Sequence, residues 1–206
     1  MKGIFITFEG PEGSGKSTHA LRLIRHLKAK GYDPLLVREP GTTRLGEMIR
    51  KILLKSASVK IGPFGEMMLF EAARCQLTDE IIRPALKSGK VVISDRYYDA
   101  TTAYQGGGSG VKISFINKLN LEATRGLKPD LTLLLDIDTN TGLRRAKGVK
   151  GFDRMEEKSR SYHRRVRRAY LDLAKREPKR IKVIKVRGTI NETQGLVRRA
   201  VEEFIK

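Results

Sequence analysis

Gly10-Pro11-Glu12-Gly13-Ser14-Gly15-Lys16-Ser17-Thr18 joins a glycine-rich turn to a lysine and two hydroxyls. This is the full G-x-x-x-x-G-K-[ST] pattern, and each residue type has a reason. Glycines let the main chain curl so that successive N–H groups point inward at phosphate oxygens. A helix starting at the end of the turn adds the positive end of its dipole. Lys16 is placed to reach the β and γ phosphates of a nucleoside triphosphate, the Ser17 hydroxyl to ligate Mg²⁺, and Thr18 to lie by the α-phosphate. Asp95 closes the apolar run Val91-Val92-Ile93-Ser94. A carboxylate at the end of a strand can hold Mg²⁺, directly or through water. Arg96 follows at once, and a guanidinium beside a metal site suits an anionic substrate gripped in bidentate fashion. The expected cofactors are therefore ATP and Mg²⁺.

The elements that must carry these residues are legible as alternation. Short apolar or β-branched runs at Gly3–Glu9, Pro34–Arg38, Val91–Asp95, Leu131–Asp136 and Ile181–Val186 read as strands. Helical patterns fill the intervals at Lys16–Lys30, Gly46–Lys55, Phe64–Ser88, Phe115–Arg125, Thr139–Lys147, Glu156–Glu177 and Asn191–Ile205. Leu21, Ile24, Leu27 and Lys28 are the expected stripe of the first helix, and Pro84 is expected to break or kink the third. Five apolar strands alternating with helices predict a three-layer α/β/α phosphate-loop NTPase fold with a five-stranded parallel sheet. Right-handed crossovers put the functional loops at the sheet's carboxyl edge.

Composition narrows the function. The chain has 206 residues, 39% of them hydrophobic, which suits one globular domain, 1–206, with a sizeable core. No apolar run approaches a membrane span, and the N-terminus lacks the features of a secretory signal. The single cysteine, Cys75, implies a reducing compartment, so a cytoplasmic location is expected. The net charge of +19 raises nucleic acid as a partner, but the basic residues are dispersed and no nucleic-acid module is recognisable. No N-K-x-D guanine signature is found. A small-molecule kinase fits a chain of this length.

Further motifs then appear in order: Arg38-Glu39-Pro40-Gly41-Thr42-Thr43-Arg44-Leu45-Gly46-Glu47, Leu69-Phe70-Glu71-Ala72-Ala73-Arg74, Asp95-Arg96-Tyr97 with Thr101 and Ala103-Tyr104-Gln105-Gly106, Ala123–Thr132, and Phe152-Asp153-Arg154-Met155-Glu156. Over essentially its whole length the chain resembles bacterial and archaeal thymidylate kinases. The resemblance implies transfer of the ATP γ-phosphoryl group to dTMP, giving dTDP and ADP. Phe70 would stack on thymine. Arg74 would bond its O4 edge, where Thr101 and Gln105 could also contribute. Tyr104 would pack on the sugar, Glu12 would lie beside the sugar and the lid, and Arg38 and Arg96 would grip the dTMP phosphate. A homodimer through the helices around Gly46–Ser88 is also implied, with Met67, Met68 and Leu69 serving either interface or core.

The family divides by whether a basic residue sits in the phosphate loop or arginines sit in a mobile lid. Position 12 is Glu, so the chain resembles the lid-arginine group, with the lid at about 142–156. Lys147 and Val149 stand where arginines are common. Arg145 or Arg154 is the expected transition-state cation, supported by Lys147 with Lys150 nearby. Thr42 replaces the usual glycine, and its Cβ should resist a positive φ. Arg160, Arg164, Arg165, Arg167 and Arg168 read as a solvated helix face. His19, His26 and His163 have no metal-binding spacing. The alternatives are another pyrimidine nucleotide or nucleoside kinase, or a basic ATPase stimulated by nucleic acid.

Overall fold

The computed structural model describes residues 3–55, 60–150 and 153–205. Strands β1 (Ile4–Glu9), β2 (Pro34–Arg38), β3 (Val91–Asp95), β4 (Leu131–Asp136) and β5 (Ile181–Lys185) form one sheet in the order β2-β3-β1-β4-β5. Every pairing is parallel, with Ile6 opposite Ile93 and Leu131 on either side of β1. Helices α1 (Lys16–Ala29), α2 (Arg44–Lys55), α3 (Pro63–Leu77), α4 (Arg83–Lys87), α5 (Tyr98–Thr101), α6 (Ile113–Thr124), α7 (Thr139–Lys150), α8 (Arg160–Arg176) and α9 (Ile190–Ile205), with two π-helical stretches, complete the described elements.

Alternation along the strands divides the core between two faces. Ile6, Phe8, Ile93, Leu131, Leu133 and Leu135 pack with Ala20, Leu23 and Leu27 of α1 and with Val197 and Val201 of α9. On the other face, Phe5 and Val92 pack with Leu77, Ile82 and Tyr97, and Leu134 packs with Tyr104, Tyr162, Val166 and Tyr170. These are the three expected layers.

One local expectation changes, one is met in a particular form, and one further helical segment appears. The buried stripe of α1 is Lys16, His19, Ala20, Leu23 and Leu27, while Leu21 is 49% exposed and Lys28 is exposed. The helix is rotated so that Lys16 faces the loop, which turns Leu21 toward a cleft that it lines with Ser17, Arg38 and Asp95. The α-helical pattern is interrupted before Pro84 as expected: α3 ends at Leu77 and α4 starts at Arg83. A π-helical turn, Thr78–Ile82, precedes α4, and its wider hydrogen-bonding step makes room for a ring that lacks an N–H. The segment Tyr98–Gly108 is helical throughout, as α5 and a second π-helical stretch, Thr102–Gly108. Its glycines serve close packing: a Cβ on Gly107 would lie 2.4 Å from Ala169 Cβ of α8.

Candidate active site

The phosphate loop leaves β1, turns through Gly13 (φ 66°) and Gly15 (φ 88°), both in the left-handed region, and enters α1 at Lys16. The Lys16 ammonium lies across the loop mouth. It donates to Gly10 O at 3.1 Å, Pro11 O at 2.9 Å and Ser14 Oγ at 3.4 Å. Burial pushes its pKa down to about 8, and Arg96 adds to the shift against the pull of Glu12 and Asp95. Ser17 and Thr18 are exposed at the start of the helix. Ser17 Oγ donates to Asp95 Oδ2 at 2.5 Å, so the two expected metal ligands are in contact. A hydroxyl and a carboxylate at an open strand end are hard oxygen donors. They fit Mg²⁺, which keeps several waters and takes few protein ligands. Among the described residues no cluster of three His, Cys, Asp or Glu is arranged to hold a metal by itself.

Arg96 ties the loop to the opposite wall. Its φ of 72° places a non-glycine residue in the left-handed region. That turn is held by Arg96 N donating to Phe8 O at 2.9 Å, Ser94 Oγ to Arg96 O at 2.6 Å, and Tyr97 N to Glu9 Oε1 at 2.7 Å. Strain kept by such over-determination is a mark of functional positions. The guanidinium donates to Gly10 O at 3.1 Å, Tyr170 OH at 3.2 Å, Glu12 Oε1 at 2.8 Å and Tyr104 OH at 3.0 Å, and it lies 4.8 Å from the Tyr104 ring centroid. Tyr104 OH also donates to Glu12 Oε1, at 2.5 Å. Burial would raise the Glu12 pKa, but Arg96 and then Lys16 outweigh it and bring it down to about 2. Glu9, which the motif reading did not use, sits beneath this cluster and accepts from Tyr170 OH at 2.7 Å. Burial, reinforced by Asp99, pushes its pKa up to about 8.

Arg38 ends β2 beside this cluster, half-exposed, and donates to Glu47 Oε1 and Oε2 at 2.9 and 3.0 Å. Thr42 adopts φ 70° in spite of its Cβ. Its hydroxyl compensates locally: it accepts from Arg38 N at 2.9 Å and donates to Arg38 O at 3.1 Å, while Thr42 N donates to Glu47 Oε1 at 2.8 Å. Arg50 is a further cation here that the motifs did not single out. It donates to Pro40 O at 2.8 Å, and its pKa is lowered by burial and then by Arg38. The available signal was its position one helical turn from Glu47.

A second group of the expected residues lies on α3 and the Tyr98–Gly108 segment, which pack on each other. Glu66, Phe70 and Arg74 occupy successive i, i+4 positions, one face of α3. Phe70 is half-buried, and Tyr104 is 5% exposed. Thr101 Oγ1 is sealed from solvent without a hydrogen-bond partner. Gln105 Nε2 donates to Glu66 Oε1 at 2.9 Å. Arg74 departs from the expectation of a free base-reading arginine. Its Nε and Nη2 donate to Glu39 Oε2 at 2.9 and 2.8 Å, Nη1 to Glu71 and to Asn120 Oδ1 (3.1 Å), and Nη2 also to Tyr97 O at 3.4 Å. Two buried carboxylates share one guanidinium, and burial holds the Glu39 pKa up at about 7 in spite of Arg74.

The lid cations separate. Arg145 and Lys147 are exposed on α7. Arg154 does not face the phosphate loop. It donates to Leu53 O at 2.8 Å and to Glu66 Oε2 at 2.6 Å. Gly151 and Phe152 lie outside the described residues, as do the side chains of Val149 and Lys150. The α7 backbone touches the loop directly: a Cβ on Gly142 would lie 2.3 Å from Glu12 O, and one on Gly13 would lie 2.0 Å from Gly142 O. Arg145 is one turn beyond Gly142 on the same helix face. Of the arginines on α8, Arg160, Arg164 and Arg168 are exposed as expected. Two are not free: Arg165 donates to Gly108 O at 2.7 Å, and Arg167 forms a bidentate pair with Asp136 at 2.6 and 3.0 Å. His19 and His26 bond Gln194 and Glu202.

The arrangement can hold a polyphosphate, Mg²⁺ and a second anion within one cleft, which is the equipment of phosphoryl transfer. Comparison with known proteins agrees. The family model for thymidylate kinase matches residues 8–197. A thymidylate kinase of Deinococcus radiodurans is 44% identical over 202 residues, covering 98% of each chain. One from Symbiobacterium thermophilum is 42% identical over 202 residues, covering 98% of this chain and 94% of its own. The crystal structure of thymidylate kinase from Ehrlichia chaffeensis superposes with a TM-score of 0.79 at 34% identity, covering 98% of this chain and 99% of that one.

Proposed function

The chain belongs to the thymidylate kinase family, and from that premise we propose how its residues divide the transfer of the ATP γ-phosphoryl group to dTMP. The observation that carries this division is the Glu12–Arg96–Tyr104 cluster, in which the loop that cradles the donor and the arginine that faces the acceptor are bonded to each other.

The loop amides of Gly10–Thr18 hold the triphosphate, and Lys16 exchanges its carbonyl partners for the β and γ oxygens. Ser17 and Asp95 would hold Mg²⁺, which would supply neutralisation of polyphosphate charge. Arg38, Arg50 and Arg96 hold the dTMP phosphate. Its oxygen is already anionic and needs no general base. As its bond to the γ-phosphorus forms, the bond from that phosphorus to the β,γ-bridging oxygen breaks and ADP leaves. Catalysis is then positioning and charge neutralisation. Arg145, carried over the loop by α7, is the cation best placed to meet the charge on the transferring group. Phe70 stacks on the base, at roughly 1–3 kcal/mol for an aromatic face. Thr101 and Gln105 meet its edge, Arg74 holds the pocket wall, and Tyr104 with Glu12 packs the sugar. The described residues act as one kinase unit with its lid at about 142–156, and a reducing cytoplasm suits the single Cys75.

A homodimer is supported by apolar side chains exposed on three neighbouring helices. Leu45, Met48 and Ile52 of α2, Phe64 and Met68 of α3, and Phe115 and Leu121 of α6 are all exposed, and the Phe64 and Phe115 rings lie 5.6 Å apart. Met67 belongs to the core, at 0% exposure. A second copy would cover this face.

Coupled ADP release with dTMP, dUMP, thymidine and no acceptor tests the reading. Turnover is expected with dTMP first. Equal turnover without any acceptor would overturn it.

A further inference from the structure

Strand β5 forms one edge of the sheet and is paired only with β4. Arg180 O accepts from Thr132 N, and Val186 N donates to Asp136 O, each at 2.8 Å. A strand in a parallel pair bonds one neighbour through alternate residues. The even-numbered residues of β5 therefore face β4, and the N–H and C=O of Val183 face outward. β4 is buried along its whole length, whereas Lys182, Val183 and Lys185 of β5 are exposed.

Helix α9 meets this strand with two apolar stripes. Val197 and Val201 have 0% exposure and belong to the core. Leu196, Ala200 and Phe204 follow at four-residue steps along a different face. Leu196 and Phe204 remain 43% and 41% exposed, beside Val183 at 42%. With the edge of β5 they line a cleft of about 490 Å³. Its rim is cationic: Lys179, Lys182, Lys185 and Arg199 are exposed around it, against the one carboxylate of Glu203. The other carboxylates of these elements are engaged elsewhere. Asp172 pairs with Lys175, Glu177 with Arg180 and Glu202 with His26, and Glu192 accepts from Thr189 N. None of the residues lining the cleft belongs to the phosphate loop or the Arg96 cluster.

We propose that the β5–α9 cleft is a docking site for an acidic, extended peptide segment of a partner protein. The segment adds to β5 as a strand, with apolar residues on Val183, Leu196 and Phe204 and carboxylates on the four cations. Lysines on an edge strand discourage strand pairing. Here that discouragement is selective. It repels a second copy of this chain, whose net charge is +19, and attracts an acidic strand. A nucleic acid would satisfy the cations but needs aromatic faces for its bases, and Phe204 is the lone aromatic of the cleft. An acidic peptide uses the cations, the apolar floor and the outward main-chain groups of Val183 together. The inference stands independently of the dTMP-kinase reading.

The probe is a fluorescein-labelled peptide of about seven residues that alternates Glu with Val, long enough to span the five residues of β5. Its binding to the full chain is followed by fluorescence anisotropy, beside the same peptide with Lys for Glu and a single-stranded oligoadenylate. Saturation at one acidic peptide per chain is expected below about 1 mM, with no binding of the Lys peptide. No saturation, or tighter binding of oligoadenylate in competition for the same cleft, overturns the proposal. Lys182→Glu with Lys185→Glu should weaken the acidic peptide by about tenfold or more, since two attractions become repulsions. Its dTMP phosphorylation should stay within about twofold of native, which shows that the variant is folded. Undiminished peptide binding in that variant overturns the proposal. Val183→Pro removes the outward N–H at a position where an edge strand accepts proline, and the same loss is expected with every charge in place. Hydrogen exchange of the Val183 amide in native protein supplies a readout that does not depend on any variant. With about nine-tenths of the sites filled it should slow about tenfold. An unchanged exchange rate would mean a charged patch without strand addition, and that also overturns the proposal.

Discussion

Replacing Gly142 with alanine sets two effects against each other. Gly142 lies inside α7, where alanine is the better helix former by about 1 kcal/mol. It also lies where the lid helix meets the phosphate loop, and the new Cβ would stand 2.3 Å from Glu12 O and 3.2 Å from Ile137 Cγ2. The first of these is backbone and cannot rotate away. Restoring ordinary contact needs a displacement of about 1 Å between α7 and the loop, at an overpacking cost of about 1–3 kcal/mol. The net stability change is therefore small, between roughly 0 and 2 kcal/mol of loss, or a few degrees in Tm at this chain length. Activity responds differently. The same 1 Å separates Arg145 from the loop it must serve, and misplacement on that scale costs on the order of 10²-fold in rate. Gly142→Ala is expected to melt within a few degrees of native protein while kcat for dTMP, with both substrates saturating, drops about a hundredfold. A kcat within threefold of native would show that the glycine contact does not set the lid's position.

Other perturbations follow from the same geometry. The Lys16 pKa of about 8 belongs to the nucleotide-free site, so kcat/KM for ATP should fall tenfold per pH unit above about 8, while kcat holds to higher pH because bound phosphate retains the proton; coincident profiles would count against that. Arg145→Ala should lower kcat by about 10²–10³-fold with little change in Tm. Arg154→Ala should instead lower Tm and raise KM for dTMP, because it leaves Glu66 with one cation; the opposite pattern would return the transition-state role to Arg154. Thr42→Ala keeps the positive φ and loses both hydroxyl bonds, so chemical denaturation should show a loss of about 1–2 kcal/mol, whereas Thr42→Gly exchanges strain for those bonds and should fall within about 1 kcal/mol of native.

The strands and the phosphate loop are legible in the sequence because local chemistry determines them. Val91–Ser94 and Leu131–Leu135 are buried on both faces and so read as mostly apolar runs, with Ser94 and Thr132 as the polar exceptions. The loop motif carries its own turn and cap. The face of α1 is less legible, because Leu21 is as apolar as Leu23 and only the requirement that Lys16 point at the loop settles the rotation. The π-helical stretches are not legible: Gly106-Gly107-Gly108 has the composition of a turn, and only its packing against α8 shows why the residues are small. Among site residues, Arg96, Glu12 and Tyr104 bond one another. Arg74 and Arg154 differ because their partners, Glu39 and Glu66, are 35 and 88 positions away in the chain, a separation that no local pattern reports. Glu9 is hidden for the same reason, since its partner Tyr170 is 161 positions away.

The most direct measurement follows the phosphoryl group itself. With ATP labelled at the γ-phosphate, dTMP and Mg²⁺, the label should appear in the β-phosphate of dTDP, one for each ADP formed. Lys16→Ala, folded by circular dichroism, should transfer almost none. Label released as inorganic phosphate, or undiminished transfer in Lys16→Ala, would contradict a loop and an arginine cluster that hold two nucleotides end to end.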